Sequence, residues 1–241
     1  MVSNTLSSIP AQLRRPLLPH VVPAVSAEEI VGAFLGDASG SELEIARAAV
    51  RQSPVLVLGA GERCGAWPTA TALVLVAGGL VLVRAGAPGM RDVVVGEAPA
   101  GSVVLPPPPS GALQAVEQSC LLLVDDDGRD RLLGIPAGAA AIAEGLQAAL
   151  VNSREAAGLL AAMRARTRIE SKLLLLARAH GRVLRGGVRI DFPLTHERLA
   201  DMTGTARETV TRVLEQLERE SFLARDGRTY LLLVPPEDLA A

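Results

Sequence analysis

The sequence predicts an α+β protein built from an N-terminal β-roll, a long helix and a small C-terminal domain of helices and short strands. Residues 54–124 are short Val/Leu runs interrupted by Gly or Pro about every 8–12 residues, which is typical of an all-β sandwich or roll. Residues 135–166 are rich in Ala and Leu and have a helical pattern. The predicted boundaries separate an irregular arm, a β-roll domain, a long helix and a C-terminal domain: 1–25, 26–134, 135–166 and 167–241.

The composition predicts a core of aliphatic side chains. Hydrophobic residues make up 49% of the 241 residues, but aromatic residues only 2%. The two cysteines, Cys64 and Cys120, are too few for a disulfide framework or a four-cysteine metal site. No apolar run of signal-peptide length follows Arg14 and Arg15, and the longest apolar run (72–83) is too short for a bilayer. We therefore expect a cytoplasmic protein with no metal site and no membrane partner.

Local signals predict the elements of the β-roll domain. Ser26 and Glu29 form a capping-box pattern, which predicts that a short helix begins there. A second short helix is predicted over 41–52. The Gly-Gly pair at 78–79 lies between two Val/Leu runs and predicts a tight hairpin. The run Pro106–Pro109 is incompatible with a central strand, so it predicts a loop or an edge.

The long helix has an apolar stripe that is too wide for a helix packing on its own domain alone. Large and small apolar residues recur along it at Leu146, Leu150, Ala157, Leu160 and Met163. Such a stripe predicts that the helix also packs against a second copy of the chain, so we expect a homodimer through these residues. A further helix follows and ends at Gly181, which suits a helix C-cap.

Two short helical patterns stand back to back in the stretch LTHERLADMTGTARETVTRVLEQLERE. Thr195 is a suitable N-cap for the first helix, and Gly204 suits the left-handed turn after it. Thr205 is a suitable N-cap for the second helix, whose apolar residues follow the helical repeat at Val210, Val213, Leu214 and Leu217. Two short strands around 226–227 complete the segment. Helix, three-residue turn, helix and hairpin are the layout of a winged helix-turn-helix.

The second of these helices places Arg207, Glu208 and Arg212 on its outer face, within its first two turns. Arginine can donate two hydrogen bonds to guanine, and glutamate can accept one from cytosine. We therefore predict that these three side chains contact bases of double-stranded DNA. Glu208 has a second interpretation: together with Thr205 it matches a capping box, and it would then only cap the helix.

The charge distribution is compatible with a phosphate-facing surface in the C-terminal half. Residues 154–189 contain nine basic side chains, whereas Glu155 and Glu170 are the only acidic ones. This excess is typical of a nucleic-acid-binding face, although a solvated helix face has the same composition. On the predicted hairpin, Arg225 and Arg228 are placed to lie near phosphate.

The stretch 194–228 resembles the helix-turn-helix signature of the cyclic-AMP receptor protein/FNR (Crp/Fnr) family of bacterial transcription regulators, with R-E-T-V-x-R at 207–212. The resemblance implies a cyclic-nucleotide-binding-like jelly roll, a dimerisation helix with a hinge near 166–168, and a palindromic TGTGA-like DNA site. It also implies a regulator that works with RNA polymerase and is not an enzyme. Contacts to the DNA backbone are expected from Thr195, His196, Thr205, Thr209, Thr211 and Arg228.

The β-roll departs from the family's cyclic-nucleotide site. Nucleotide-binding members carry Gly-Glu and, further along, Arg-Ser or Arg-Thr, but the corresponding stretch 100–118 has neither that Glu nor that Arg. The usual cyclic AMP cassette is therefore absent, and no cofactor is assigned. A small nucleotide effector is an alternative, with Ser153 and Arg154 on the long helix as its candidate contacts. Iron–sulfur sensing needs several clustered cysteines, which this chain lacks.

Two other classes of function compete with DNA binding. The stretch PVLVLGAGERCG begins like a dinucleotide-binding fingerprint, but Cys64 occupies the third Gly position and no ribose-binding acid follows. No catalytic Ser/His/Asp or Cys/His set is evident, so no enzyme is predicted. The alternative to a DNA-binding regulator is an effector sensor or protein-interaction module whose winged helix binds a partner protein.

Overall fold

A computed structural model describes residues 26–235 apart from 37, 66–69, 87–91, 109, 162–163, 192–193 and 228. The predicted N-terminal arm and two of the predicted site residues, Met163 and Arg228, lie outside the described residues. The chain divides into two compact units, Met1–Ser153 and Arg154–Ala241.

The described elements of the first unit begin with two helices and continue with eight strands and a short helix. In chain order they are α1 (Ala27–Leu35), α2 (Gly40–Val50), β1 (Val55–Leu58), β2 (Arg63–Cys64), β3 (Thr71–Gly78), β4 (Leu80–Ala85), β5 (Val93–Pro99), β6 (Val103–Val104), β7 (Ala112–Ala115), β8 (Ser119–Asp125) and α3 (Asp126–Leu133). Helix α4 (Pro136–Ala161) follows and continues into the second unit.

The strands form two four-stranded antiparallel sheets, β1-β8-β3-β6 and β2-β7-β4-β5, which confirms the predicted roll. Successive side chains of β3 alternate between two cores, because a strand has a period of two. Val74 and Val76 are buried with residues of the opposite sheet. Leu73 and Leu75 are buried with the helices. Coverage on both faces explains why β3 is a continuous apolar run in sequence.

The two N-terminal helices begin at capping boxes. Ser26 and Glu29 form the predicted box of α1. Helix α2 has its own box, in which the Ser39 side chain accepts a hydrogen bond from the Glu42 N–H, and one Glu42 carboxylate oxygen accepts bonds from the Ser39 N–H and hydroxyl. The other carboxylate oxygen of Glu42 accepts a bond of 3.0 Å from the Ala137 N–H, in the first turn of α4. The bonds that the Glu42 carboxylate accepts hold its pKa below the ordinary value, and the bond from Ala137 has the largest effect.

The predicted hairpin at 78–79 is wrong. Strand β3 pairs with β8 and β6, whereas β4 pairs with β5 and β7, so the chain crosses from one sheet to the other at this point. Gly79 has φ +79, and a Cβ there would lie 2.5 Å from the Gln118 carbonyl oxygen. The crossing therefore needs glycine for the same left-handed backbone that a hairpin would need, which is why the sequence signal was ambiguous. The proline run is loop over Pro106–Pro108, as predicted.

The long helix ends earlier than the sequence predicts. Helix α4 ends at Ala161, and Arg164 has extended backbone angles, φ −95 and ψ 126. Helix α5 (Ala165–His180) begins immediately afterwards. Residues 166–168, where the hinge is expected, lie in the first turn of α5, and the extended residue Arg164 precedes them.

The second unit combines α5 with two β-hairpins and two more helices. The remaining elements are β9 (Gly181–Leu184), β10 (Gly187–Ile190), α6 (His196–Thr203), α7 (Arg207–Arg219), β11 (Leu223–Asp226) and β12 (Thr229–Leu232). The strands form one antiparallel sheet in the order β11-β12-β10-β9. The buried side chains of this unit include Ile169, Leu173, Leu176, Leu199, Val210, Leu214, Leu217 and Tyr230.

In the described part of the chain, no single helix has both the length and the apolar character needed to cross a membrane. Helices α3 and α4 reach that length and character only when they are taken together across a bend of 111°.

Candidate nucleic-acid interface

Helix α6 begins and ends as the sequence predicts. The Thr195 side-chain oxygen accepts a hydrogen bond of 3.1 Å from the Arg198 N–H, so Thr195 caps the helix. Leu199 and Met202 are buried. Gly204 adopts the left-handed conformation, φ 58 and ψ 39, and turns the chain toward α7.

The predicted cap of α7 is wrong. The helix begins at Arg207, and its N-cap is Ala206, which has no side-chain cap bond. Thr205 belongs to the turn instead: its N–H donates to the Ala200 carbonyl at 3.0 Å, and its hydroxyl lies 2.9 Å from the Thr203 hydroxyl. Since no capping box forms, Glu208 is not held in a capping role.

Arg207, Glu208 and Arg212 are exposed on the first two turns of α7. No hydrogen bond or ion pair joins these three side chains to another residue that the structure describes. On the opposite face, Val210 and Leu214 are fully buried and hold the helix in the core. The helix therefore presents two guanidinium groups and a carboxylate with free hydrogen-bonding capacity, which suits contacts to base edges.

His196 and Thr211 are both half-buried and bonded to each other. The His196 Nδ1 lies 2.8 Å from the Thr211 Oγ1, and the Thr211 hydroxyl also lies 3.1 Å from the Arg207 carbonyl oxygen. Burial lowers the pKa of His196, and the positive charges of Arg225 and Arg207 lower it further. Thr209, another predicted backbone contact, is half-buried on α7.

The predicted wing is confirmed as the hairpin β11–β12, with Arg225 paired to Tyr230 and Asp226 to Thr229. Gly227 supplies the left-handed residue of its turn, with φ +60. The Arg225 guanidinium is half-exposed and lies 3.6 Å from the Glu218 carboxylate on α7. This contact connects the wing to the helix that carries the candidate base-contacting residues.

The C-terminal end of α7 is fixed by ion pairs that the sequence pattern did not reveal. Two nitrogens of Arg166, in the first turn of α5, donate to the Glu220 carboxylate, and its Nε donates to Glu170 at 2.9 Å. Gln216 donates to Glu220 at 2.9 Å. These bonds lower the pKa of Glu220 to about 2, chiefly through Arg166. Arg168 donates from Nε to the Thr203 carbonyl at 2.8 Å.

The basic block at 154–189 is therefore partly used inside the protein. Arg166 is paired with two carboxylates, and Arg189 is paired with Asp191 at 2.9 Å. The excess of positive charge visible in the sequence overestimates the positive surface that is free for phosphate.

The predicted dimer residues divide into two groups. Leu146 packs against the buried helix–sheet core of the first unit. Leu160 points at the turn of the helix-turn-helix, where its Cδ2 lies 3.0 Å from the position of a Cβ on Gly204. Leu150 and Ala157 are exposed, and Val151 and Gly158 beside them are exposed as well.

Helix α4 contacts strand β5 of the roll beside the predicted effector contact Ser153. Asn152 donates from Nδ2 to the Glu97 carbonyl of β5 at 3.1 Å. The neighbouring Ser153 Oγ lies 3.8 Å from where a Cβ on Gly96 would be. Arg154, the other predicted effector contact, is exposed on the second unit.

Arg84 is a fully buried arginine of the roll, and its charge is already neutralised. Its Nε and Nη2 donate to the two carboxylate oxygens of Asp92 at 2.8 and 3.1 Å, and its Nη1 donates to Gln114 at 3.0 Å. The bond from Arg84 is the main reason that the pKa of Asp92 is below its ordinary value. No group of His, Cys, Asp or Glu in the described residues is arranged to hold a metal ion.

The C-terminal unit has the features of a winged helix-turn-helix: a positioning helix, a left-handed glycine turn, a second helix with exposed polar residues, and a β-hairpin wing. Residues 167–241 match the family model of the Crp-like helix-turn-helix domain. A curated relative, the transcriptional activator protein FnrL of Cereibacter sphaeroides, is 34% identical over 85 residues, which are 34% of either chain. The match thus spans about a third of that relative's length.

Solved structures extend the likeness to the whole fold. A CooA variant from Carboxydothermus hydrogenoformans superposes with a TM-score of 0.69 at 20% identity, covering 92% of this chain and 97% of that one. The c-di-GMP-responsive regulator CLP of Xanthomonas campestris gives 0.64 at 20% identity, covering 82% and 100%. FixK2 of Bradyrhizobium japonicum gives 0.62 at 21% identity, covering 78% and 96%. Residues 167–241 therefore form a Crp-like helix-turn-helix domain, and the chain shares the fold of these solved structures.

Proposed function

We propose that the protein is a homodimeric, sequence-specific DNA-binding transcription regulator. Residues 167–241 are the DNA-binding domain, and Arg207, Glu208 and Arg212 contact bases in the major groove. The proposal rests on these three side chains, which are exposed and have no bond to any other described residue. They lie at the start of a helix whose other face is buried. The first turns of a recognition helix are the part that contacts base edges.

The DNA site follows from the dimer. Arg207 and Arg212 are five residues apart, which is about 7.5 Å along a helix axis, so both can contact one major groove. A two-fold dimer requires an inverted repeat, with half-sites about one helical turn apart. The proposed site is a TGTGA-like palindrome in which the arginines contact guanines and Glu208 contacts a cytosine. Thr195, Thr205, Thr209 and the wing are proposed to contact the DNA backbone.

Residues 135–166 are proposed to be the dimerisation helix. Its exposed stripe of Leu150, Val151, Ala157 and Gly158 offers an apolar face for a second copy. Gly158 has open space around it, so two helices could approach closely there. The other half of the predicted stripe, Leu146 and Leu160, is used within the chain.

The matched experiment compares Arg212→Ala with Arg219→Ala. Both residues are exposed on α7, but Arg219 lies in its last turn and donates to the Glu215 carbonyl. Binding to a TGTGA…TCACA duplex and to a scrambled duplex is followed by fluorescence anisotropy. We expect Arg212→Ala to lose about tenfold to a hundredfold in specific affinity, since a good bidentate contact discriminates by about 1–3 kcal/mol. Arg219→Ala should change both affinities by less than about twofold.

Two results would contradict the proposal. One is an unaltered protein that binds both duplexes equally at low and high salt. The other is an equal loss of specific affinity in the two variants, since charge alone would then explain binding. A protein that binds neither duplex would favour a winged helix that recognises a partner protein.

The roll is proposed not to bind cyclic AMP through the family's cassette. The stretch that corresponds to the cassette contains a proline loop with an exposed Leu105. The buried Arg84 donates hydrogen bonds to both carboxylate oxygens of Asp92. An anionic cyclic phosphate needs a cation or N–H donors that are free to bind it. Isothermal titration with cyclic AMP should give no saturable heat, and tight binding would contradict this part of the proposal.

RNA polymerase is proposed as the partner of the DNA-bound dimer. Strand β9 is an edge of the C-terminal sheet, and its Val183 is 64% exposed. An edge strand presents unpaired backbone groups along one side and is therefore suited to a protein contact. Transcription in vitro from a promoter carrying the palindrome should respond to the protein and lose that response in Val183→Asp, with DNA affinity unchanged.

A further inference from the structure

A polar link joins the two helices of the helix-turn-helix close to the base-contacting residues. His196 is the first residue of α6, and Thr211 lies in the second turn of α7. The imidazole Nδ1 and the threonine Oγ1 are 2.8 Å apart, and the same hydroxyl reaches the carbonyl oxygen of Arg207 at 3.1 Å. The link therefore ends on the backbone of one of the proposed base-contacting residues.

The link can form with either neutral tautomer of the imidazole. When Nδ1 carries the proton, Nδ1–H donates to the Thr211 hydroxyl, and the hydroxyl donates its one proton to the Arg207 carbonyl. When Nδ1 is unprotonated it accepts the hydroxyl proton, so the bond to Thr211 forms but does not continue to Arg207. In both cases Nδ1 is used inside the domain. His196 is half-buried, and its Nδ1 faces the Thr211 hydroxyl of the other helix.

The position of this link matters because α6 and α7 have different proposed tasks. The N-terminal end of α6 carries Thr195, a proposed phosphate contact, and the N-terminal half of α7 carries the proposed base contacts. Both helices also bury apolar side chains, among them Leu199 of α6 and Val210 of α7. Apolar packing has little directional preference, whereas a hydrogen bond of 2.8 Å constrains both distance and angle.

We propose that His196 is a positioning residue for base recognition: through Nδ1 and Thr211 it sets the distance between the phosphate-contacting end of α6 and the base-contacting turn of α7. This rests on the proposed function. Loss of the link should leave phosphate contacts in place and loosen the placement of Arg207, which needs to be within about 0.5 Å for a bidentate contact. The effect should therefore fall on specificity rather than on total affinity.

The test uses two replacements, each of which reproduces one of the two imidazole nitrogens. His196→Asn places an amide near the position of Nδ1, and His196→Gln places one near the position of Nε2. His196→Ala and Thr211→Val remove one side of the link each, and Thr211→Val keeps the branched shape. The readout is the ratio of affinities for the palindromic and the scrambled duplex, which cancels any loss of folded protein.

His196→Ala, Thr211→Val and the double variant should each reduce that ratio by about threefold to tenfold, as expected for one hydrogen bond, and the double variant should be no worse than either single one. His196→Asn should restore most of the ratio, and His196→Gln should not. Additive losses in the double variant, or rescue by Gln but not by Asn, would show that the ring acts on phosphate through Nε2 and would overturn the proposal. An unaltered protein without any preference for the palindrome would instead refute the proposed function.

Discussion

Gly204 offers the sharpest test of how the turn of the helix-turn-helix is built. Its backbone is left-handed, with φ 58 and ψ 39, a conformation that costs a residue with a Cβ about 1–2 kcal/mol. A Cβ there would also lie 3.0 Å from the Leu160 Cδ2, so that side chain would have to move by a few tenths of an ångström. Gly227, in the wing, has nearly the same φ of +60 but open space around it. The two glycines therefore separate backbone strain from crowding.

Gly227→Ala should cost about 1–2 kcal/mol of unfolding free energy from the backbone alone. Gly204→Ala should cost about 1 kcal/mol more, because overpacking adds to the same strain. In a Leu160→Ala background the crowding disappears, so Gly204→Ala should then cost no more than Gly227→Ala. The three substitutions form a double-mutant cycle with an independent reference for strain.

Urea unfolding at fixed protein concentration, followed by tyrosine absorbance, measures these values. Tyr230 is the single tyrosine and is buried in the C-terminal sheet, so it reports on the unit that contains both glycines. If Gly204→Ala costs the same with and without the Leu160 side chain, the turn is not packed against that residue and the reasoning fails.

Three further predictions follow from single contacts. Ser221 follows Glu220, the C-cap of α7, and has φ 57, so Ser221→Gly should raise the unfolding free energy by about 0.5–1 kcal/mol; a lower urea midpoint would contradict this. The pKa of Glu220 is lowered to about 2, so its contribution should be complete above about pH 4.5 and be lost toward pH 2. Unfolding of Glu220→Gln and the unaltered protein should therefore differ at pH 6 and converge near pH 2. Leu150→Glu on α4 should yield monomers in sedimentation, whereas Val183→Glu, which is even more exposed, should not.

The features that were predictable from the sequence are those fixed by neighbouring residues. The capping box of α1 joins Ser26 to Glu29, three residues away, and the Thr195 cap reaches only to Arg198. The glycine turn at 204 follows from the missing Cβ. The apolar repeat of α7 identified Val210 and Leu214 as buried, because a helix face is set by local geometry.

The features that were missed depend on partners far along the chain. Arg166 and Glu220 are 54 residues apart, and no local pattern indicates that they meet. The Gly-Gly pair at 78–79 is compatible with a hairpin or a crossing, and the choice is made by the pairing of β3 with β8. The capping box predicted for Thr205 and Glu208 is a local exception, because the Thr205 hydroxyl bonds to that of Thr203, two residues away, and α7 begins after Ala206 instead. Local sequence patterns therefore identify the possible turns and caps, and contacts within the folded chain determine which of them form.

The polar side chains at the two ends of α7 differ in how many of them have partners within the domain. This difference is the strongest physical support for the proposed function. In the last two turns three polar side chains have partners within the domain: Gln216 bonds to Glu220, Glu218 pairs with Arg225 at 3.6 Å, and Arg219 donates to a backbone carbonyl. Among the described residues, Glu215 is the charged side chain of these turns without such a partner. In the first two turns, Arg207, Glu208 and Arg212 have no such partner among the described residues. Exposed ion pairs contribute little to stability, so folding gives no reason to concentrate unbonded charges at one end. Binding of a DNA duplex at the N-terminal end does explain these unbonded charges. Guanine supplies acceptors for the two arginines, and cytosine supplies a donor for the glutamate.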